Sequence, residues 1–149
     1  TLAREIVLRH EITHVAQDAL PRDNVPTWLT EGMADYIGYR GSGVPDSLVG
    51  AEIFAQVRAS GAPDALPAES EFDLDRPGAE RRVGYQAGWA FCQMLVDEYG
   101  ESQLVPFYVA VSRGDGSTEE RLDDAAEKVL GTTYDDLRVQ WQAWLQANA

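Results

Sequence analysis

The residues able to do chemistry begin in the segment Arg9-His10-Glu11-Ile12-Thr13-His14-Val15. An α-helix advances about 100° per residue, so residues four apart return to within about 40° of one another and project from one face. If this segment is helical, His10 and His14 can therefore share one metal ion. Glu11 stands about 100° round the same helix, displaced from the ligand position but able to reach a water on the metal as its general base. The chain has two histidines in all, and both stand at this ligand spacing. That makes one Zn²⁺ per chain the expected ion.

Catalytic zinc takes three protein ligands and keeps a fourth position open. The candidate for the third is Glu31, within Trp28-Leu29-Thr30-Glu31-Gly32-Met33-Ala34-Asp35-Tyr36. A short turn would return this second helix antiparallel to the first. Two neutral imidazoles and one carboxylate leave zinc a net positive charge, enough to lower the pKa of its water. Asp35, one turn beyond Glu31, is placed to orient a ligand imidazole. The bland alternatives are that the histidine pair belongs to a helix that binds nothing, and that Glu31 and Asp35 form an ordinary solvated face.

The elements that must position these groups read as helices. Residues 2–19 are apolar around much of the circumference (Leu2, Ile6, Val7, Leu8, Ile12, Val15) and end before Pro21, the pattern of a buried central helix. Pro26 opens a second helix that runs to Tyr39, where Gly41-Ser42-Gly43 breaks it. A third helix is expected over Ser47 to Ala59 with Asp46 as N-cap. Pro63, Pro67, Pro77, Gly61 and Gly78 mark residues 61–80 as a long acidic loop. Arg82 to Tyr99 form the next helix, ended by Gly100. Ser102 to Ser112 form a short one kinked near Pro106. Ser117 and Glu120 make a capping box for residues 118–130, which Gly131 ends. The last helix starts at Thr132 or Thr133 and turns Leu137, Trp141, Trp144 and Leu145 inward. No segment reads as a strand, so the fold class is mainly α.

Composition bounds the rest. The 149 residues, 44% hydrophobic, suffice for one core and one domain. Twelve basic against 25 acidic side chains give a formal charge of −13, which repels nucleic acid and anionic membrane alike. No stretch reaches the ~20 apolar residues of a membrane span. The single Cys92 excludes an internal disulfide and reads as a small buried hydrophobe. Trp28, Trp89, Trp141 and Trp144 read as core. The chain opens at Thr1 in helix pattern without an initiator Met, so it is expected to be a piece of a longer protein.

His10-Glu11-Ile12-Thr13-His14, followed by Pro26-Thr27-Trp28-Leu29-Thr30-Glu31-Gly32-Met33-Ala34-Asp35-Tyr36, resembles the gluzincin zinc metallopeptidases. The likeness is to their peptidase MA-like domains, related to the M1 aminopeptidases and thermolysin-like peptidases. It spans nearly the whole chain, but only these two segments are specific. The resemblance implies that Glu31 is the third zinc ligand and Asp35 the partner of a ligand histidine. It also maps Tyr85-Gln86-Ala87-Gly88 onto a motif whose tyrosine stabilises the oxyanion in the M1 branch. Tyr85 equally fits a core position on an amphipathic helix. The family's small sheet would lie upstream of Thr1, with the first helix central to the domain. Nothing in the residues themselves localises the protein; the resemblance favours an extracytoplasmic or secreted location and implies a peptide or protein substrate. The expected function is zinc-dependent peptide hydrolysis, with Glu11 as base. The alternatives are a zinc-binding interaction module without turnover and a metal-free helical adaptor.

Overall fold

The contact that organises the fold is between two glycines. A Cβ built on Gly88 would overlap the carbonyl oxygen of Trp28, and one built on Gly32 would overlap the backbone of Gly88. Helices carrying these residues can cross only because both side chains are missing. The structure, a computed structural model, describes residues 1–149 apart from the side chain of Arg22. It is 76% helix with no strand among the described residues, and the two crossing helices are α2 (Thr27–Tyr39) and α5 (Gly78–Tyr99).

The central helix is α5. Its Gly84, Ala87, Gly88, Trp89, Ala90, Phe91, Cys92, Met94 and Leu95 are all buried, because small residues on several faces admit neighbours all round. Trp28 of α2 packs edge-on against Phe91, with ring centroids 4.8 Å apart. Helices α4 (Ala51–Ser60) and α8 (Tyr134–Asn148) close another side through the rings of Phe54, Trp89 and Trp144. Helices α6 (Leu104–Arg113) and α7 (Thr118–Ala125) complete the core with Phe107, Tyr108, Val111 and Leu122. All four tryptophans are buried, as is Cys92, whose thiol pKa burial pushes well up.

Helix α1 (Leu2–Gln17) corrects the expectation of a buried central helix. It lies against α2 alone of the large core helices in its main contacts, where Gly38 leaves room for the backbone of Ile6. Its buried residues are polar, Thr13 and Gln17. Leu2, Val7, Leu8, Ile12 and Val15 are exposed, Val15 at 71%. Apolar residues spread around a helix do not say which arc will find a neighbour, and here the arc bearing the histidines did.

Other boundaries shift for local reasons. The segment expected as one helix from Ser47 is divided at Gly50 into α3 (Asp46–Val49) and α4, and Asp46 lies inside α3 with Pro45 before it. A Cβ at Gly50 would stand 2.7 Å from the Phe54 ring and 2.9 Å from that of Trp89. Helix α5 starts a turn earlier than expected, at Gly78 after Pro77. The 61–80 segment contains a 3-10 turn, Glu69–Phe72. Pro106 sits in the first turn of α6, where no helical hydrogen bond is lost and no kink arises. The Ser117–Glu120 capping box forms, and Thr133 caps α8 through Asp136.

Gly88→Ala is expected to destabilise the fold by about 1–3 kcal/mol or more, the scale of overpacking. Gly78→Ala, whose Cβ would meet only the Arg82 side chain at 3.4 Å, should change stability by roughly 0.5 kcal/mol or less. Denaturant unfolding of the two variants checks this; equal effects would mean that α2 and α5 can separate freely.

Candidate metal centre

Helices α1 and α2 run antiparallel, joined by a seam of polar contacts. The Arg9 guanidinium donates to the carbonyl of Arg40 at 2.9 Å. His10 Nδ1 lies 2.8 Å from Asp35 Oδ1, and His14 Nδ1 lies 2.8 Å from Gln17 Oε1. The Gln17 amide in turn donates to the carbonyl of Thr30 at 3.1 Å. That last bond orients the amide so that its oxygen faces His14, and a carbonyl oxygen can only accept. His14 therefore carries its proton on Nδ1, and the carboxylate of Asp35 draws the His10 proton to Nδ1 likewise.

The tautomers fix the consequence. Both Nε2 lone pairs are left facing inward, 3.0 Å apart. Glu31 Oε2 lies 3.4 Å from His10 Nε2 and 3.3 Å from His14 Nε2. Three acceptors drawn this close repel one another unless a proton on an imidazole or a metal cation lies between them. Ligands about 2.05 Å from a tetrahedral zinc stand about 3.3 Å from each other, and the edges of this triangle are close to that spacing. His10, His14 and Glu31 form the potential metal-holding group found among the described residues, and all three are half-buried.

The structure brings Asp35 and Tyr85 to the same place. A cleft of about 360 Å³ is walled by His10, Glu31, Asp35, Tyr39, Arg82 and Tyr85, with Val49, Gln86 and Trp89 behind them. Tyr85 is half-buried, its ring 5.4 Å from that of Phe72. Desolvation and the charge of Glu31 raise its phenol above the ordinary value, with Arg81 opposing. Tyr39 is raised by desolvation and by Asp35. Glu11 is exposed and is not part of the cleft wall, yet its charge is near enough to contribute to the raised pKa of His10.

Gln17 was not anticipated from the sequence. Its signal is available in hindsight, since a residue three after a ligand histidine lies about 60° from it on the helix. An amide there can orient the imidazole. Comparison with known proteins finds no matching protein family, no similar curated protein and no matching solved structure. The case for this site is thus the geometry itself.

Gln17→Ala is expected to leave the helical circular dichroism intact and weaken zinc binding by about 10–100-fold, the usual cost of losing the partner that orients a ligand histidine. Chelator competition measures it, and an unchanged affinity would reduce Gln17 to a packing residue.

The pKa of His10 is raised above 6.5, first by its hydrogen bond to Asp35 and further by Asp35, Glu31 and Glu11, against desolvation. Because the folded value lies above the unfolded one, protonation stabilises the metal-free fold below the unfolded pKa. That stabilisation is lost as pH rises through the folded pKa. Zinc must displace the same proton. Zinc affinity should therefore begin to fall at a pH above 6.5 as the solution is acidified, and onset at or below it would contradict the His10–Asp35 arrangement.

Proposed function

We propose that this chain is a gluzincin-type zinc metallopeptidase domain that hydrolyses peptide bonds, with His10, His14 and Glu31 holding one Zn²⁺. The observation that carries the reading is the triangle of inward lone pairs at 3.0, 3.3 and 3.4 Å, with both imidazoles oriented by Asp35 and Gln17. When bound, zinc supplies Lewis acidity at a position left open to solvent and substrate.

The chain's own residues do the rest. Glu11 carries no hydrogen bond or salt bridge among the described residues, and its exposed carboxylate is free to move. It takes the proton from the attacking water and returns it to the leaving amine. Tyr85, across the cleft, keeps its phenolic proton at neutral pH as an ordinary tyrosine does, and desolvation and Glu31 raise its pKa further. It can donate that hydrogen bond to the oxygen of the scissile carbonyl as charge develops there. Asp35 and Gln17 hold the imidazoles still during these transfers. The alternative is a zinc-binding interaction module without turnover, favoured by one observation: Glu11 does not line the cleft.

The test separates metal holding from chemistry. Wild type should bind one zinc per chain and cleave members of a broad peptide library. Glu11→Gln should keep the zinc while hydrolysis falls by about 10²–10⁴-fold, the contribution of a positioned general base. Glu31→Ala should lose the metal itself. A zinc-loaded wild type that cleaves nothing would select the module, and release of zinc by Glu11→Gln would refute the division of roles.

A further inference from the structure

The largest cavity, a groove of about 670 Å³, runs between α4, α5 and the prolines of the 61–80 segment. The Arg82–Glu52 pair, at 2.6 Å, stands between it and the metal cleft, and Arg76 on its rim pairs with Glu80 at 3.4 Å. Nothing in it selects an occupant. A smaller pocket of about 250 Å³ at the C-terminal end of α2 differs on both counts. It shares the ring of Tyr39 and the buried side chains of Val49 and Trp89 with the metal cleft, so the two are compartments over one floor. Its volume is below the ~300–1,000 Å³ of sites that hold a whole small ligand, and suits one side chain of a larger one.

The polar groups of its wall fall into two sets. Those that donate are engaged. The guanidinium of Arg40 pairs with Glu101, and the Tyr36 hydroxyl donates to the same carboxylate at 3.4 Å. Those that accept are free. Gln93 donates its side-chain N–H to Asp97 Oδ1 at 2.9 Å. A carboxylate can only accept, so the amide oxygen of Gln93 is the end without a partner. The Asp46 carboxylate makes no hydrogen bond or ion pair among the described residues. Desolvation and the neighbouring charge of Asp97 both raise it, as happens to a carboxylate with no cation beside it.

This division selects the occupant. An anionic group would meet like charge, and an apolar side chain would cover Asp46 and the Gln93 oxygen without satisfying either. A group that only donates satisfies both. The lysine ammonium and the arginine guanidinium are such groups, and the rings of Trp89 and Tyr39 offer faces to the cation and to its methylene stem.

We propose that this pocket receives a basic side chain, lysine or arginine, of a peptide lying along the metal cleft, with Asp46 and the Gln93 oxygen recognising its charge. The proposal rests on the peptidase reading for cleavage beside that residue, but the recognition itself needs no zinc. The rim is held in place without a ligand. Arg9 donates to the carbonyl of Arg40 at 2.9 Å, and the Val44 amide donates to the Ser42 hydroxyl at 3.2 Å. These bonds fix the turn at Gly41–Gly43, so little ordering remains to oppose binding.

The experiment uses the whole chain, with and without zinc. N-acetylated hexapeptides of Ala and Ser, labelled with fluorescein at the C-terminus, carry Lys, Arg, norleucine or Glu at one central position and are titrated by anisotropy. A norleucine peptide with a free N-terminus tests the other source of an ammonium group. Wild type should bind the Lys and Arg peptides at least about tenfold more tightly than the norleucine one, the scale of a hydrogen bond to a charged group, whether or not zinc is present. Freeing the N-terminus should add nothing. Asp46→Asn, at an exposed position in the first turn of α3, should bring the Lys and Arg peptides to the norleucine level. Gln93→Leu tests the opposite wall and should weaken them about threefold or more, with circular dichroism reporting that each variant is folded. Equal binding of the Lys and norleucine peptides by wild type, or no binding of any, would overturn the pocket. So would a preference that survives both substitutions, or a gain that follows the free N-terminus instead of the side chain. A wild type that prefers Lys but takes up no zinc would instead overturn the peptidase reading and leave the pocket standing.

Discussion

The rest of the structure depends on the crossing of α2 and α5 at Gly32 and Gly88. These helices form the two walls of the cleft, with Glu31 next to the crossing on one and Tyr85 one turn before it on the other. The width of the cleft is therefore set by the absence of two side chains. A methyl group on either would lever the walls apart by more than the few tenths of an ångström over which a positioned donor keeps its value. The Gly of the Tyr85-Gln86-Ala87-Gly88 segment has a physical task in this fold: it seats α5 on the carbonyl of Trp28 so that Tyr85 faces Glu31.

The α1–α2 seam is built on a different principle. It buries little apolar surface and is held by hydrogen bonds from Arg9, Gln17 and His10. Carboxylates of Glu11, Glu31 and Asp35 crowd one short stretch of it in a chain already at −13. That crowding is costly without a cation, and the raised pKa of His10 is one expression of it. A divalent ion between the Nε2 atoms and Glu31 would turn the repulsion into attraction and tie α1 to α2. Metal binding at this site, as proposed, would be one equilibrium with the docking of α1.

Much of this was legible in the sequence, and the parts that were not share a cause. The helical periods, the Ser117–Glu120 box and the inward tryptophans follow from local rules that operate within a few residues. The spacing of His10 and His14 is likewise local, and the structure brings Glu31 to them. Misreadings arose where tertiary contacts decided. The burial of α1 depended on which arc met α2, and the division at Gly50 depended on the rings of Phe54 and Trp89. Gln17 was passed over because an amide near the end of a helix resembles any solvated residue until the carbonyl of Thr30 is known to face it.

Helix α5 serves three neighbours at once, and its sequence can be read as three superposed instructions. Tyr85 faces the cleft, Gly88 meets α2, and Val83, Gly84 and Ala87 line the groove, with Phe72 lying over Gly84 at ring distances that a Cβ would shorten to 3.2 Å. The glycines at 84 and 88 are unfavourable for helix propensity, by roughly 1 kcal/mol each relative to alanine. The burial of Trp89, Phe91, Met94 and Leu95 on the following turns offsets that cost. The helix is thus stabilised by its C-terminal half, whereas its N-terminal half, nearer the candidate metal site, is shaped by close approach. A substitution that improved the helix there would degrade the cleft and the groove together.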